Sequence, residues 1–303
     1  MFRKSRIFVE THSLYMRKLI NFLKKYYEFI SYRFCKPIIT VQYENTILEL
    51  DTRWRHEWNY LNFIKKAKIT GPLGIDVWVF SHFIKTGYIV LDAGANIGFT
   101  AILAEKSGAN LIHCFEPDPR LNKRLENHCK GKNFIVYPMA LGNQSGSLKL
   151  RLSSSHNQGS TLSDQIVGKF PEVFNLPQEV QVDVVTIDSQ FGNYYFDFFK
   201  IDVEGFELET LQGSLSILKR NPPATIYIEV YDECFEGVHS LLSEIYAYAY
   251  RVICDRNGFC RLFLYDSCVE ILERDGFYVM PPSYIYTNSK NKALTEKWTS
   301  PAN

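Results

Sequence analysis

"IVLDAGANIGFTAILAEKSG", Ile89 to Gly108, sets an apolar run against a loop of one acid, two glycines and an asparagine, then passes into helical spacing. A strand that ends in a tight loop and feeds a helix is the repeating unit of open α/β sheets, which bind ligands at the strands' carboxyl ends. Outward from it, further apolar runs follow as "NLIHCFEP", "NFIVYPMAL", "FDFFKIDVEG" and "ATIYIEVYDE". Helical patterns follow the first, second and fourth runs at Phe99 to Lys106, Arg120 to His128 and Phe206 to Leu218. Strands alternating with helices predict right-handed crossovers and a doubly wound α/β domain with a mostly parallel sheet covered on both faces.

The loop's spacing restricts its ligand. A dinucleotide fingerprint starting at Gly94 needs glycine two and five positions later, where this chain has Asn96 and Phe99, so hydride chemistry is disfavoured. Asn is among the few residue types that enter left-handed backbone readily, and the loop can still turn tightly through Gly94, Asn96 and Gly98. An acid at Asp92 repels a pyrophosphate but can accept hydrogen bonds from a cationic amino group or from a water beside it. Twenty-four positions on (116 − 92), Glu116 ends the second run, where an acid takes ribose hydroxyls. Adenosine joined to an amino acid is S-adenosylmethionine.

At this point the chain resembles the FkbM family of S-adenosylmethionine-dependent methyltransferases. The matching strings are "VLDAGANIGFTA", "CFEPDPRLNKRLENH", "MALGNQSGSLKL" and "FFKIDVEGFELETLQGSLSIL", followed by "IYIEV", over Gly87 to Tyr231. The resemblance implies a seven-stranded Rossmann-like sheet whose last strand pair is antiparallel, a pair that "YRVICDRNG" and "FCRLFLYD" can supply. It further implies that Asp92, Gly94, Asn96 and Gly98 hold the methionine end of the cofactor. Glu116 would hold the ribose, and the backbone from Met139 through Ala140 to Leu141 the adenine edge. The implied reaction is O-methylation of a sugar, glycan or other polar natural product. Other readings are a cofactor-binding scaffold without catalysis and an N-methyltransferase. A nucleic-acid acceptor is disfavoured because "IDVEGF" stands where such enzymes usually carry an N/D-P-P-Y/F string.

With a strand period of two, Lys200, Asp202 and Glu204 share one face of the fourth run, so Lys200 needs a carboxylate such as Asp202 or Asp92 beside it. Asp202 and Glu204 emerge at the carboxyl end, facing the methyl group as the resemblance implies. A hydroxyl acceptor needs a base, and the candidates are Asp202, Glu204, Glu229 and His156. Glu204 is also suited to capping the next helix. No His/Cys set supports a metal, and none is expected. His113 reads as a core histidine.

The polar stretch Arg151 to Glu179 interrupts the α/β pattern and reads as a lid over the acceptor that orders on binding. At the N-terminus, Ser13 to Phe34 spaces apolar residues by three and four among Lys and Arg, the pattern of a basic amphipathic helix that packs on the domain or touches a membrane surface. Residues 1 to 40 carry nine Lys/Arg against two acids, +7, leaving +1 − 7 = −6 for the rest, which disfavours nucleic-acid binding by the body. Seven cysteines without a C-x-x-C pair suggest neither zinc nor a disulfide framework, and they favour the cytoplasm. The expected organisation is an N-terminal helical extension over 1–74, a methyltransferase domain over 75–280 and a polar tail over 281–303.

Overall fold

The computed structural model describes residues 20, 23, 26, 27, 30, 34, 36–66, 72–153, 157–174, 178–254, 260–265 and 282–290. The chain divides into two units, Met1–Ala67 and Lys68–Asn303. In the first, residues 20, 23, 26, 27, 30 and 34 are helical, and the remainder of the predicted amphipathic stretch before Lys36 lies outside the described residues. The extension expected to be helical also carries a β-hairpin: β1 (Ile38–Tyr43) and β2 (Thr46–Asp51) pair antiparallel and turn through Glu44 and Asn45. The cause is a period of two in "TILELD", which buries Leu48 and Leu50 while Ile47 and Glu49 face out. α1 (Arg55–Lys66) follows, and its buried Glu57 accepts from the Asp51 amide at 2.5 Å.

The second unit opens with α2 (Pro72–Phe83), β3 (Ile89–Ala93), α3 (Phe99–Lys106), β4 (Leu111–Phe115), α4 (Pro119–Cys129) and β5 (Phe134–Tyr137). β6 (Ala140–Leu141), β7 (Gly146–Arg151), α5 (Asp164–Lys169) and β8 (Glu179–Val185) come next. The chain continues through α6 (Ile187–Phe191), β9 (Phe198–Ile201), α7 (Glu207–Gln212), α8 (Leu215–Arg220) and β10 (Thr225–Glu229). α9 (Asp232–Ser243), β11 (Tyr248–Cys254), β12 (Cys260–Leu264) and β13 (Ser283–Thr287) complete it. One sheet runs β12-β11-β13-β10-β9-β3-β4-β5, and a small one runs β6-β8-β7. From β10 to β5 every pairing is parallel, while β13 lies antiparallel to both β10 and β11. The mostly parallel α/β sheet is as expected, with eight strands in place of seven because β12 adds an outer hairpin strand to β11.

Two expectations fail at the C-terminal end. The antiparallel partner of β10 is neither β11 nor β12 but "SYIYT", which falls within the stretch expected to be a polar tail from 281. All five of its residues are buried because it enters the sheet between two strands and is covered on both faces. Cys260 is disulfide-bonded, against the expectation of no such bond, whereas Cys114, Cys129 and Cys234 are free.

The main apolar core carries Leu91, Phe115, Phe199, Ile201, Ile226 and Ile228 from the central strands, closed over by residues of α7, α8 and α9. His113 lies in it with Nδ1 3.0 Å from the Tyr137 hydroxyl, and burial lowers its pKa to about 4.

Candidate active site

The loop after β3 is shaped by three left-handed residues, Gly94 (φ 76°), Asn96 (φ 52°) and Gly98 (φ 85°). A Cβ at Gly94 would overlap the Asp202 carbonyl oxygen, so the loop passes against the end of β9 as only glycine permits. The amides of Gly94 and Ala95 both donate to the Phe115 carbonyl at 2.9 Å, and the Asn96 amide donates to Glu116 Oε2 at 2.8 Å. Glu116 Oε1 accepts from the Asp118 amide at 2.8 Å. Burial lifts its carboxyl to about 7 against the pull of those two amides. A carboxylate offers about four acceptor positions, so two amides leave room for hydroxyl donors.

Between these loops lies a cleft open to solvent. Gly94, Asn96, Glu116, Met139, Ala140, Asp202 and Glu204 all line it, which brings together in one space residues drawn from four stretches of chain. Phe115, Leu121, Leu141 and Phe206 supply apolar wall. A glycine-narrowed loop, a carboxylate with spare acceptor capacity and apolar surface beside it fit an adenosine carrying an amino acid.

Asp92 and Gly98 are not on that wall. Asp92 is fully buried behind the loop, where its Oδ2 accepts from Thr100 Oγ1 at 2.6 Å and its Oδ1 stands 3.3 Å from Lys200 Nζ. Expected at the methionine end, Asp92 here faces Lys200 and Thr100 and does not line the cavity. Its charge is taken by Lys200, whose Nζ also donates to the carbonyls of Ala93 (3.2 Å) and Gly94 (2.7 Å) and so ties the loop to β9. Burial disfavours the ammonium, yet Asp92, Asp202, Asp76 and Glu229 outweigh it and raise the Lys200 pKa. Behind this pair the Tyr227 hydroxyl donates to Asp76 Oδ1 at 2.8 Å and stands 3.1 Å from Glu229 Oε1. Glu229 does not line the cavity. Gly98 turns the chain into α3, with no room for a Cβ beside Leu125.

The second loop, between β9 and α7, carries Asp202 and Glu204. Glu207 Oε1 accepts from the loop amides of Val203 (3.3 Å) and Gly205 (2.9 Å), and α7 opens from Phe206 with no side-chain cap, so the cap expected of Glu204 is not formed. Burial lifts the Glu207 carboxyl to about 8. Glu204 is in left-handed backbone (φ 54°), and its Oε2 accepts from the Tyr231 hydroxyl at 2.6 Å. Burial, helped by the charge of Asp202, raises its carboxyl to about 8.

The Arg151 to Glu179 insertion is built into this site instead of standing over an acceptor alone. Asn157, Gln158, Ser160 and Leu162 line the cavity. Asn96 Nδ2 donates to the Asn157 carbonyl at 3.0 Å, Ser160 Oγ donates to Asp118 Oδ2 at 2.9 Å, and Thr161 Oγ1 donates to the Glu204 carbonyl at 2.5 Å. His156 lies outside the described residues. Among the described residues no group of three or more His, Cys, Asp or Glu is arranged to hold a metal ion. Sequence reasoning missed Asp118, legible as the helix cap in "EPDPR", and Tyr231, for which no local signal exists.

A glycine loop after the first strand of a parallel sheet, an acid after the second, and an antiparallel strand slotted in near the far edge define a Rossmann-like methyltransferase domain. The methyltransferase FkbM domain family matches residues 92–252, more than half of the chain. The chain belongs to that family. Among solved structures it is similar to a methyltransferase FkbM from Methylobacillus flagellatus KT, with 15% identity over 76% of this chain and 53% of that one and a TM-score of 0.42. The chain thus spans about half the length of that protein. It is also similar to a putative rRNA-methylase from Clostridium thermocellum (11% identity, 74% and 99% covered, TM-score 0.42). A third is a putative methyltransferase from Streptococcus mutans in complex with SAH (12%, 72% and 98%, TM-score 0.39). Among curated proteins none matches.

Proposed function

We propose that the chain is an S-adenosylmethionine-dependent O-methyltransferase acting on a hydroxyl of a sugar, glycan or other polar natural product. The observation that carries the reading is the single cavity in which Gly94, Asn96, Glu116, Met139 and Ala140 meet Asp202 and Glu204. S-adenosylmethionine supplies a methyl group on a sulfonium, whose carbon–sulfur bond breaks, its electron pair going to sulfur, as an acceptor oxygen bonds to that carbon. Glu116 would accept from the ribose hydroxyls, and the Met139 to Leu141 stretch would edge the adenine. Lys200 holds the loop carbonyls in register from behind. Positive charge disappears in such a displacement, so alignment and a deprotonated acceptor matter more than charge stabilisation. Glu204 receives the acceptor's proton, and Asp202 orients the hydroxyl beside it.

An acceptor other than nucleic acid is supported by the −6 charge of the chain beyond residue 40 and by carboxylates at the cavity's reactive end. Contact of the N-terminal segment with an anionic membrane surface is supported by its +7 charge and by the exposure of Ile20, Leu23 and Phe34. No helix among the described residues is long and apolar enough to cross a membrane. Co-sedimentation with phosphatidylserine vesicles, absent after deletion of residues 1–36, checks that contact.

Calorimetry with S-adenosylmethionine tests the cofactor site. Glu116→Ala is expected to weaken binding by about 1.5 to 3 kcal/mol, the range for hydrogen bonds to a charged group, and wild-type affinity in that variant would remove the assignment. Transfer of radiolabelled methyl to a glycan library tests the reaction. Asp202→Asn and Glu204→Gln should lower turnover and leave cofactor affinity in place.

A further inference from the structure

Glu204 occupies backbone that strains a side chain of its type, and such a conformation persists where the surroundings over-determine it. Two side chains do so from opposite ends. Thr161 Oγ1 donates to the Glu204 carbonyl at 2.5 Å, and the Tyr231 hydroxyl donates to Oε2 at 2.6 Å. Tyr231 stands immediately before α9, is 9% exposed, and has its ring 5.9 Å from that of Phe170. Glu204 Oε1 takes no hydrogen bond among the described residues, and Glu204 lines the cavity.

We infer that Tyr231 is a positioning residue for Glu204, pinning Oε2 so that Oε1 is left to accept the proton of the acceptor hydroxyl. The inference rests on the methyl-transfer reading of the same cavity. In the step concerned, the acceptor's O–H bond breaks, an O–H bond forms on Oε1, and the negative charge passes from the carboxylate to the acceptor oxygen. The distant phenol thus does two things. It fixes which carboxylate oxygen is available, and it favours the ionised form that a base requires.

The second effect can be read without an acceptor. Glu204 is surrounded by Asp202, Glu207, Lys200 and Tyr231: burial and the two acids raise its carboxyl to about 8, while the Tyr231 hydrogen bond and Lys200 lower it. Removing the hydroxyl takes away one lowering influence. Carboxyl-labelled glutamate followed by carbon-13 NMR against pH in the full chain measures this directly, with the Glu204 resonance assigned by its absence in Glu204→Gln. The wild-type midpoint is expected near 8, and in Tyr231→Phe it should rise by about one pH unit, the lower end of what a hydrogen bond to a charged group supplies. An unmoved midpoint in that variant overturns the inference, as does a wild-type midpoint in the ordinary carboxylate range.

If Tyr231→Phe does not fold, the ring carbon bearing the Tyr231 hydroxyl, labelled in the wild-type chain, should titrate with a midpoint near 8 and stop doing so in Glu204→Gln. A resonance unchanged by Glu204→Gln refutes the contact. S-adenosylmethionine affinity should be equal in wild type and Tyr231→Phe. Absence of cofactor binding in the wild type would instead sink the methyl-transfer reading while leaving the titration to be judged on its own.

Discussion

The loops after β3 and after β9 sit side by side at the carboxyl ends of paired parallel strands, and both force non-glycine residues into left-handed backbone. They are held by different means. The first is fixed by its own glycines, by amides reaching the next strand, and by a buried ion pair that joins Asp92 to Lys200. The second is fixed by side chains from far along the chain, Thr161 from the insertion and Tyr231 from the start of α9. One loop is braced from beneath and the other is strapped from above. A braced loop suits a ligand bound the same way in every turnover, and a strapped one can change shape when the strap moves.

Breaking the brace should have the largest effect. Asp92→Ala leaves Lys200 3% exposed with Asp202 as its remaining close carboxylate at 3.5 Å, and a buried pair broken from one side typically costs about 3 to 5 kcal/mol. Urea unfolding is the measurement, and a loss below about 1 kcal/mol, the worth of a surface pair, would mean that the brace bears little load.

The strapped side should contribute to the pH dependence of stability, alongside the buried Glu116 and Asp76, whose carboxyls are raised to about 7 and about 6. Glu204 and Glu207 titrate near 8 in the folded chain, against 4.5 for an unperturbed glutamate. The folded state therefore holds more protons between those values, and stability falls as pH rises through that window, by at most about 1.4 kcal/mol per pH unit for each group. Glu207→Gln should flatten the fall of the urea midpoint between about pH 6 and pH 8, and an unchanged slope would show that Glu207 ionises normally.

The smallest effect tests whether the strap belongs to both loops. Replacing Ser154 to Gln158 with a Gly-Ser linker removes two residues that share the cavity wall with Glu116, together with whatever order they impose on Asn96. Cofactor affinity should fall by about tenfold, equivalent to about 1.4 kcal/mol, along with turnover. Unchanged affinity would restrict the insertion to the acceptor.

The braced loop was legible because its determinants are local. Gly94, Asn96 and Gly98 lie within five residues, and the strand-to-helix change around them is visible as a change of period. Even there the sequence did not reveal that Asp92 faces Lys200 and not the cavity, since a strand residue's surroundings depend on what the neighbouring strand offers, and that strand lies more than a hundred residues away. Lys200 was the clue: an ammonium in a central strand must meet a carboxylate. On the strapped side, nothing near Tyr231 marks it as a partner of Glu204, and the insertion's polarity reads as a lid over the acceptor without showing that its hydrogen bonds close on the loops beneath. The hairpin at Ile38–Asp51 alternates plainly, but its turn residues, Glu44 and Asn45, lack the glycine that usually signals one. "SYIYT" is too short to stand out from a tail, and only its insertion between β10 and β11 reveals it as a strand.

That late strand shapes how the molecule can be made. β13 pairs Thr225 with Thr287 and Tyr248 with the same residue, so the sheet is joined near one edge by a segment that arrives after both of its neighbours. Until then β10 and β11 each present an open edge, the kind of surface on which other chains add strands. A fragment ending before Ser283 would keep the glycine loop, the acids and the insertion and still be a poor protein, prone to associate through those edges. Biosynthesis and refolding should share this weak point, because a closing contact of high sequence separation forms slowly and leaves partly folded chains exposed meanwhile.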